Sequence, residues 1–321
     1  MTEQKPGAFL ADVALLTEHR YEAAEAAPDD WYLGNMLRDD ALLQAALQKR
    51  GLSAVRIDWA RKDVDWRQFR CAVFRTTWDY YERSAEFSDW LDRVKHETLL
   101  INPAEMIRWN MDKHYLADLD AKGVNIVPSV FMEAGSQADK LVSLMQENGW
   151  SKAVVKPCIS GGAWHTYRVS PENAAAVSQK IAPVLQKQAF MLQPFMQSIV
   201  ESGEDTLMVL NGAYTHAVRK RAAKGDFRVQ DDWGGTVEAY TPSPAQIELA
   251  ERAMAAVTPV PVYGRADMVR DGEGNWAIME LELLEPELWI RYHEPSAEPF
   301  ADGIVNALHA FESGRTVKPA F

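Results

Sequence analysis

The sequence predicts an α/β protein in which a small, mostly parallel sheet is followed by two mixed α+β units. Three observations predict it. Over the first hundred residues, apolar runs of strand length alternate with stretches of helical periodicity. From about residue 104 the alternation resumes around a short glycine loop. Beyond residue 200, two apolar–polar alternating stretches each fold back on a turn signal. The first pattern is that of a sheet with helices on both faces, and the last that of antiparallel hairpins.

VALLTE (13–18) reads as a buried strand and DALLQAALQKRG (40–51) as a helix closed by Gly51. SAVRIDW (53–59) and CAVFRTTW (71–78) read as further strands, SAEFSDWLDRVKH (84–96) as a helix capped by Ser84, and LLINP (99–103) as a strand stopped at Pro103. A parallel sheet presents its ligand edge at the strand C-terminal ends, where RTTWDY (75–80) begins. NMDKHYLADLDAKG (110–123) is then expected as one helix, NIVPSVFM (125–132) as a strand and QADKLVSLMQENG (137–149) as a helix. AVVKPCIS (153–160) reads as a strand running into GGAWH (161–165), followed by strand HTYRVS (165–170). Helix PENAAAVSQKIAPVL (171–185), with Pro171 near its first turn, and strand AFMLQPFM (189–196) complete this unit. Asn211-Gly212 marks a type I′ hairpin within 203–220, and the segment 264–286 turns at 271–275. The helix PAQIELAERAMAAV (244–257) separates the hairpins, and a last helix spans about 297–313. These breaks divide the chain into 1–103, 104–190 and 191–321.

Composition narrows the function. The chain is 47% hydrophobic and 25% charged, ordinary for a globular protein of 321 residues. No apolar run approaches the roughly 20 residues that span a bilayer, so a membrane role is not expected. The first 20 residues have neither the basic region nor the apolar core of a signal peptide. The two cysteines, Cys71 and Cys158, are too few for a disulfide framework and suit a reducing cytoplasm. A net charge of −12 without a Lys/Arg-rich block argues against a nucleic-acid partner.

The chemistry concentrates in the second hairpin. Period-two geometry places Glu280 and Glu282 on one face of their strand, and antiparallel pairing brings Asp267 near them. Carboxylates gathered in this way repel one another unless a cation intervenes. Oxygen ligands without His or Cys point to Mg²⁺ or Mn²⁺, the alternative being a solvated acidic strand face. Lys156 ends an apolar strand beside a glycine loop, a good place for phosphate, while Lys113 reads as the polar start of a helix. His165 and His216 do not cluster and read as structural.

Taken in order, N-x-x-K (110–113), V-V-K-P (154–157), S-G-G-A (160–163), M-L-Q-P-F (191–195), G-E-D-T (203–206), R-K (219–220), G-R-A-D (264–267) and E-L-E-x-x-E-P (280–286) resemble the ATP-grasp superfamily over roughly 105–290. The first hundred residues resemble the pre-ATP-grasp domain that precedes it. R-T-T-W-D-Y (75–80) and H-A-V-R-K with G-D-F-R-V-Q (225–230) are similar to the group containing the O-ureidoserine cyclo-ligase of cycloserine biosynthesis. The resemblance implies two α+β subdomains clamping ATP, and an ATP- and magnesium-dependent carboxylate–amine ligase working through an acyl-phosphate and releasing ADP and phosphate.

It implies that Lys113, Lys156 and the loop Ser160, Gly161 and Gly162 meet the phosphates. Gln193 to Phe195 would read the adenine edge through their backbone, and Glu204 would bind the ribose. Lys220 and Arg265 would meet the transferring phosphoryl group, and Asp267, Glu280 and Glu282 would hold Mg²⁺. Glu282 stands where most relatives have Asn, and Gln193-Pro194 where many have an acid followed by a residue with a free N–H. Arg75, Thr77 and Asp79 at the strand end, with Arg219 and Arg228 opposite, are the candidate contacts for a small amino-acid-like substrate. Dimers are common in this superfamily, so the resemblance also implies a homodimer. The competing readings are a ligase that modifies peptides or proteins, and a catalytically inactive nucleotide-binding regulator.

Overall fold

A computed structural model describes residues 9–223, 228–229 and 234–314. Four parallel strands, β1 (Val13–Thr17), β2 (Ala54–Asp58), β3 (Cys71–Thr76) and β4 (Leu99–Ile101), stand in the order β2-β1-β3-β4. Helices α1 (Trp31–Lys49) and α2 (Ser84–Val94) connect them. β1 and β3 are buried along their whole length, as strands covered on both faces must be. Helix α1 begins nine residues before the apolar stretch that announces it, because Asp30 caps it by accepting the Leu33 N–H at 3.0 Å. Ser84 is the first residue of α2 and not its cap; Arg83 takes that position without a side-chain bond.

The single helix expected over 110–123 is two, α3 (Ala104–Met111) and α4 (Tyr115–Ala121). The chain breaks between them because Lys113 gives its N–H to the Cys158 carbonyl at 3.0 Å and Asp112 takes the His114 N–H at 3.1 Å. The second sheet is antiparallel, with β5 (Val130–Met132), β6 (Ala153–Pro157), β7 (Tyr167–Val169) and β8 (Phe190–Pro194) in the order β5-β8-β6-β7. Helices α5 (Leu141–Glu147) and α6 (Ala174–Leu185) pack on it through Leu141, Met145, Val177 and Ile181. Pro171 falls in the turn ahead of α6 and outside the helix.

After α7 (Gln197–Ser202) comes a five-stranded antiparallel sheet of order β11-β10-β9-β12-β13. Its strands are β9 (Glu204–Leu210), β10 (Ala213–Arg221), β11 (Thr236–Tyr240), β12 (Tyr263–Arg270) and β13 (Trp276–Glu282). β11 is an element the sequence pattern does not announce. Asn211 and Gly212 both take positive φ (52° and 83°), as a type I′ turn demands. Helix α8 (Pro244–Ala255) starts with a capping box between Ser243 and Gln246. The last helix, α9 (Ala297–Glu312), returns to pack on α1. Phe300 and Ile304 share one core with Leu43 and Leu47 of α1, with β1, and with Met208 and Tyr263 of the antiparallel sheet. Among the described residues no helix is long and apolar enough to cross a membrane.

Candidate active site

β13 is an edge strand, and its outward backbone groups need partners. Asn110 supplies two of them: its amide donates to the Leu281 carbonyl and its oxygen accepts the Leu283 N–H, both at 2.7 Å. Tyr115 accepts the Leu281 N–H at 2.8 Å. Asn102 similarly donates to the carbonyls of Tyr263 and Leu283 at 2.9 Å, tying the parallel sheet to the hairpin. With the backbone fixed at 281 and 283, the alternating residues Glu280 and Glu282 turn to a cleft with a cavity volume of about 390 Å³. The β12–β13 register sets Asp267 opposite Glu280 and Arg265 opposite Glu282, with an irregularity just past Asp267.

The cleft brings together all the nucleotide and metal candidates. Lys113, Lys156, Ser160, Gly161, Gly162, Gln193, Phe195, Glu204, Lys220, Arg265, Asp267, Glu280 and Glu282 all line it. Lys113 is buried and reaches Glu280 at 3.1 Å and the Ser160 carbonyl at 2.9 Å. Lys156 lies 3.7 Å from Glu280. Lys220 bridges Glu204 and Asp267, the latter at 2.9 Å. Arg265 holds Asp267 at 2.8 Å and also Glu282. Glycine is required at two places. Tyr81's ring lies 2.8 Å from where a Cβ on Gly161 would sit, and at Gly203, with φ 90°, a Cβ would meet the Lys220 carbonyl at 2.5 Å.

The carboxylates are not a solvated acidic strand face, because four cations stand among four acids. Burial acts to raise Asp267, but Arg265 and Lys220 outweigh it and hold the carboxyl well below the usual range. Glu280 is lowered in the same way, burial being outweighed by Lys113 and Lys156. Burial prevails at Glu282 and at Glu204, whose carboxyls are pushed up despite Arg265 and Lys220 beside them.

In the adenine segment no backbone N–H is free at 194 or 195. Pro194 has no N–H, and Phe195 donates its own to the Lys152 carbonyl at 2.9 Å, so neither has one left for an adenine edge. Among the substrate candidates only Arg228 lines the cleft. Arg75 is buried against Asp40 of α1 at 2.7 Å, so it holds the parallel sheet to its own helix. Thr77 is fully buried, and Asp79 accepts from the Trp59 indole at 2.7 Å and pairs with Arg83 at 2.8 Å. Arg219 is spent on Asp205 and stacks 4.1 Å from the Tyr240 ring centroid. Of the stretch 225–230 only Arg228 and Val229 lie within the described residues.

Several cleft residues escape sequence reasoning, among them Tyr21, Tyr32 and Trp289, while Glu285 enters it only as the last acid of E-L-E-x-x-E-P, without a role. For Tyr21 a signal existed, since it follows β1 at the same strand-end edge as RTTWDY. The free cysteines are both buried, and burial pushes each thiol far up, away from the thiolate form that a nucleophile needs. His216 is a core residue, bonded to the Leu288 carbonyl at 2.8 Å.

Known proteins bear on this geometry. Residues 13–102 match the family described as D-cycloserine synthetase DcsG, N-terminal domain, and residues 125–259 that described as prokaryotic glutathione synthetase, ATP-grasp domain. The chain is 34% identical over 284 residues to the cycloserine biosynthesis protein DcsG of Streptomyces lavendulae, covering 83% of this chain and 92% of that one. It is similar to the crystal structure of D-cycloserine synthetase DcsG at a TM-score of 0.80 and 31% identity, over 92% of this chain and 99% of that one. The ATP-grasp ligase PsnB, solved with minimal precursor phosphomimetic variant, Mg and ADP, shares the fold at a TM-score of 0.58 and 16% identity, over 92% and 98% of the two chains. The chain therefore belongs to the ATP-grasp family, as an ATP-dependent ligase joining a carboxylate to an amine.

Proposed function

We propose that the enzyme phosphorylates the carboxylate of a small amino-acid-like substrate with Mg-ATP and closes the resulting acyl-phosphate on an amine of the same molecule, releasing ADP and phosphate. The observation that carries this is the interleaving of Lys113, Lys156, Lys220 and Arg265 with Glu204, Asp267, Glu280 and Glu282 in one cleft. A carboxylate is a poor electrophile, and transfer of a phosphoryl group gives it a leaving group. Charge spreads over the transferring phosphoryl oxygens, and cations preorganised in a cleft stabilise it.

The all-oxygen set Asp267, Glu280 and Glu282 fits Mg²⁺, or Mn²⁺ in its place. Bound there, the metal would neutralise phosphate charge. Lys113, Lys156 and the backbone of 160–162 take the phosphates as they exchange their present partners for them. Lys220 and Arg265 meet the γ-phosphoryl group. As Lys220 turns to it, Glu204 is released towards the ribose hydroxyls. Gln193 and Phe195 border the adenine by their side chains, and Arg228 faces the substrate. Tyr21, Tyr32 and Trp78 close the substrate end of the cleft, which favours a small molecule over a peptide. Sequence similarity to a D-cycloserine synthetase supports ring closure.

The two buried free thiols suit a reducing compartment, and we place the enzyme in the cytoplasm with no nucleic-acid or membrane partner. A homodimer is part of the reading, and light scattering that finds a monomer removes that part alone. The test is an ADP-release screen with D- and L-O-ureidoserine and free amino acids, hydroxylamine being added as acceptor. ADP and a hydroxamate from one acid are expected. AMP release, or no turnover with any acid, overturns the reading.

A further inference from the structure

Six carboxylate residues line the cleft, and five of them pair with a cation. Glu204, Asp267, Glu280 and Glu282 pair as described, and Glu287 pairs with Arg291 at 2.6 Å. Glu285 is the sixth, three residues beyond Glu282, and it has no ion pair among the described residues. A half-buried carboxylate without a contacting ion-pair partner, with Lys113 and Arg265 acting on it only from further off, is costly to keep ionised. Burial accordingly pushes its carboxyl well up. A ligand carrying positive charge would reverse that.

The surroundings of Glu285 suit such a ligand. Trp78 donates its indole N–H to the Glu285 carbonyl at 2.9 Å, which ties that ring to this stretch of backbone. Around Trp78 stand Tyr21, with ring centroids 5.5 Å apart, and Tyr32 at 5.9 Å, and all three line the cleft. Aromatic faces attract cations, and an ammonium that also meets a carboxylate replaces its lost hydration with a charge-assisted hydrogen bond. Glu285 and these rings come from different domains of the chain, so the subsite exists only when both are in place.

We propose that Glu285 and the Tyr21–Tyr32–Trp78 wall form the subsite that binds the ammonium group of the amino-acid substrate, a nitrogen distinct from the one that closes on the acyl-phosphate. The proposal rests on the ligase reading and specifies which end of the substrate is recognised at this wall. It makes the enzyme selective for substrates that keep a free amino group, whatever their reacting carboxylate carries.

The probes are serinamide, which has an ammonium group, and 3-hydroxypropanamide, which lacks it. Neither has a carboxylate to activate, so binding is read without turnover, by saturation-transfer NMR on the full chain with Mg²⁺ and a non-hydrolysable ATP analogue. The wild type is expected to bind serinamide about tenfold or more tightly than the neutral amide. Glu285→Gln should abolish that difference while keeping the rise in melting temperature with Mg-ATP, which reports an intact fold and nucleotide site. Should Glu285→Gln fail to fold, Trp78→Leu carries the same comparison and should reduce the difference several-fold. Equal binding of the two amides by the wild type, or an undiminished preference in the variant, overturns the proposal. ADP release from an amino acid without any ammonium preference sinks the subsite and leaves the ligase reading standing. A clear preference without ADP release does the reverse.

Discussion

Glu280→Gln should remove activity and, in the metal-free protein, part of the stability. Glu280 lies 3.1 Å from the buried Lys113 ammonium and 3.7 Å from that of Lys156. At an effective dielectric of about 20 the two attractions come to about 10 kcal/mol gross. Most of that is offset by desolvating three charged groups. Breaking a fully buried pair costs about 3–5 kcal/mol net. The Glu280 side chain is 25% exposed, which screens the interaction and brings the expected loss to about 2 kcal/mol, a fall of about 4 °C in melting temperature. Two ammonium groups left facing an amide account for the loss. In turnover the same change removes a carboxylate from the place where phosphoryl charge develops, and kcat should fall about 100-fold or more. Urea and thermal unfolding in EDTA, beside ADP release with the best acid substrate, read both effects. A solvated acidic face would instead tolerate the change within about half a kcal/mol and with full activity. Either of those results refutes the electrostatic account.

ATP with Mg²⁺ should raise the melting temperature, by the equivalent of about 3 kcal/mol at a hundredfold excess over Kd, and ATP with EDTA should raise it less. Equal shifts contradict a metal bridging Asp267, Glu280 and Glu282. Glu282→Asn should keep kcat within about tenfold and raise the magnesium concentration needed for half activity, because Asn still offers an oxygen and Arg265 retains Asp267. An unchanged magnesium requirement removes Glu282 from the metal set. His216 supplies a pH test. Burial lowers its pKa to about 4 from the ordinary 6.5, against the Leu288 carbonyl that favours the charged ring. Between those values the unfolded chain holds a proton that the folded one does not. This contribution is therefore complete above pH 6.5 and is lost as pH falls towards 4, by about 3 kcal/mol. His216→Gln should flatten the stability profile across that window, and a parallel profile in the variant refutes the assignment.

The hairpin was the most legible part of the site. Turn residues at 271–275 pair the two strands, and the irregularity just past Asp267 shifts the register by one residue, which is what sets Arg265, Asp267, Glu280 and Glu282 on one side. What held them there was not legible, because Asn110 and Tyr115 reach the edge strand from a distant segment. Lys113 reads as a solvated helix start, yet the break between α3 and α4 buries it at Glu280. That break depends on a carbonyl at Cys158 that no local pattern reveals. The strand-end rule located the right edge of the parallel sheet but not the direction of each side chain. Arg75 turns inward to Asp40, whereas Trp78, three residues on, lines the cleft. The pairing of acids with lysines and arginines is a property of assembled segments, so a sequence showing clustered carboxylates suggests repulsion where the fold has charge balance.

Isotope transfer tests the central claim, carboxylate activation by phosphoryl transfer, most directly. A substrate whose carboxylate carries ¹⁸O is incubated with unlabelled Mg-ATP, and the released phosphate is examined by ³¹P NMR. In the proposed reaction a carboxylate oxygen attacks the γ-phosphorus and the amine then displaces that oxygen together with the phosphate. Each phosphate should therefore carry one carboxylate ¹⁸O, and ADP none. Label appearing in AMP, or phosphate released without label, would contradict the account.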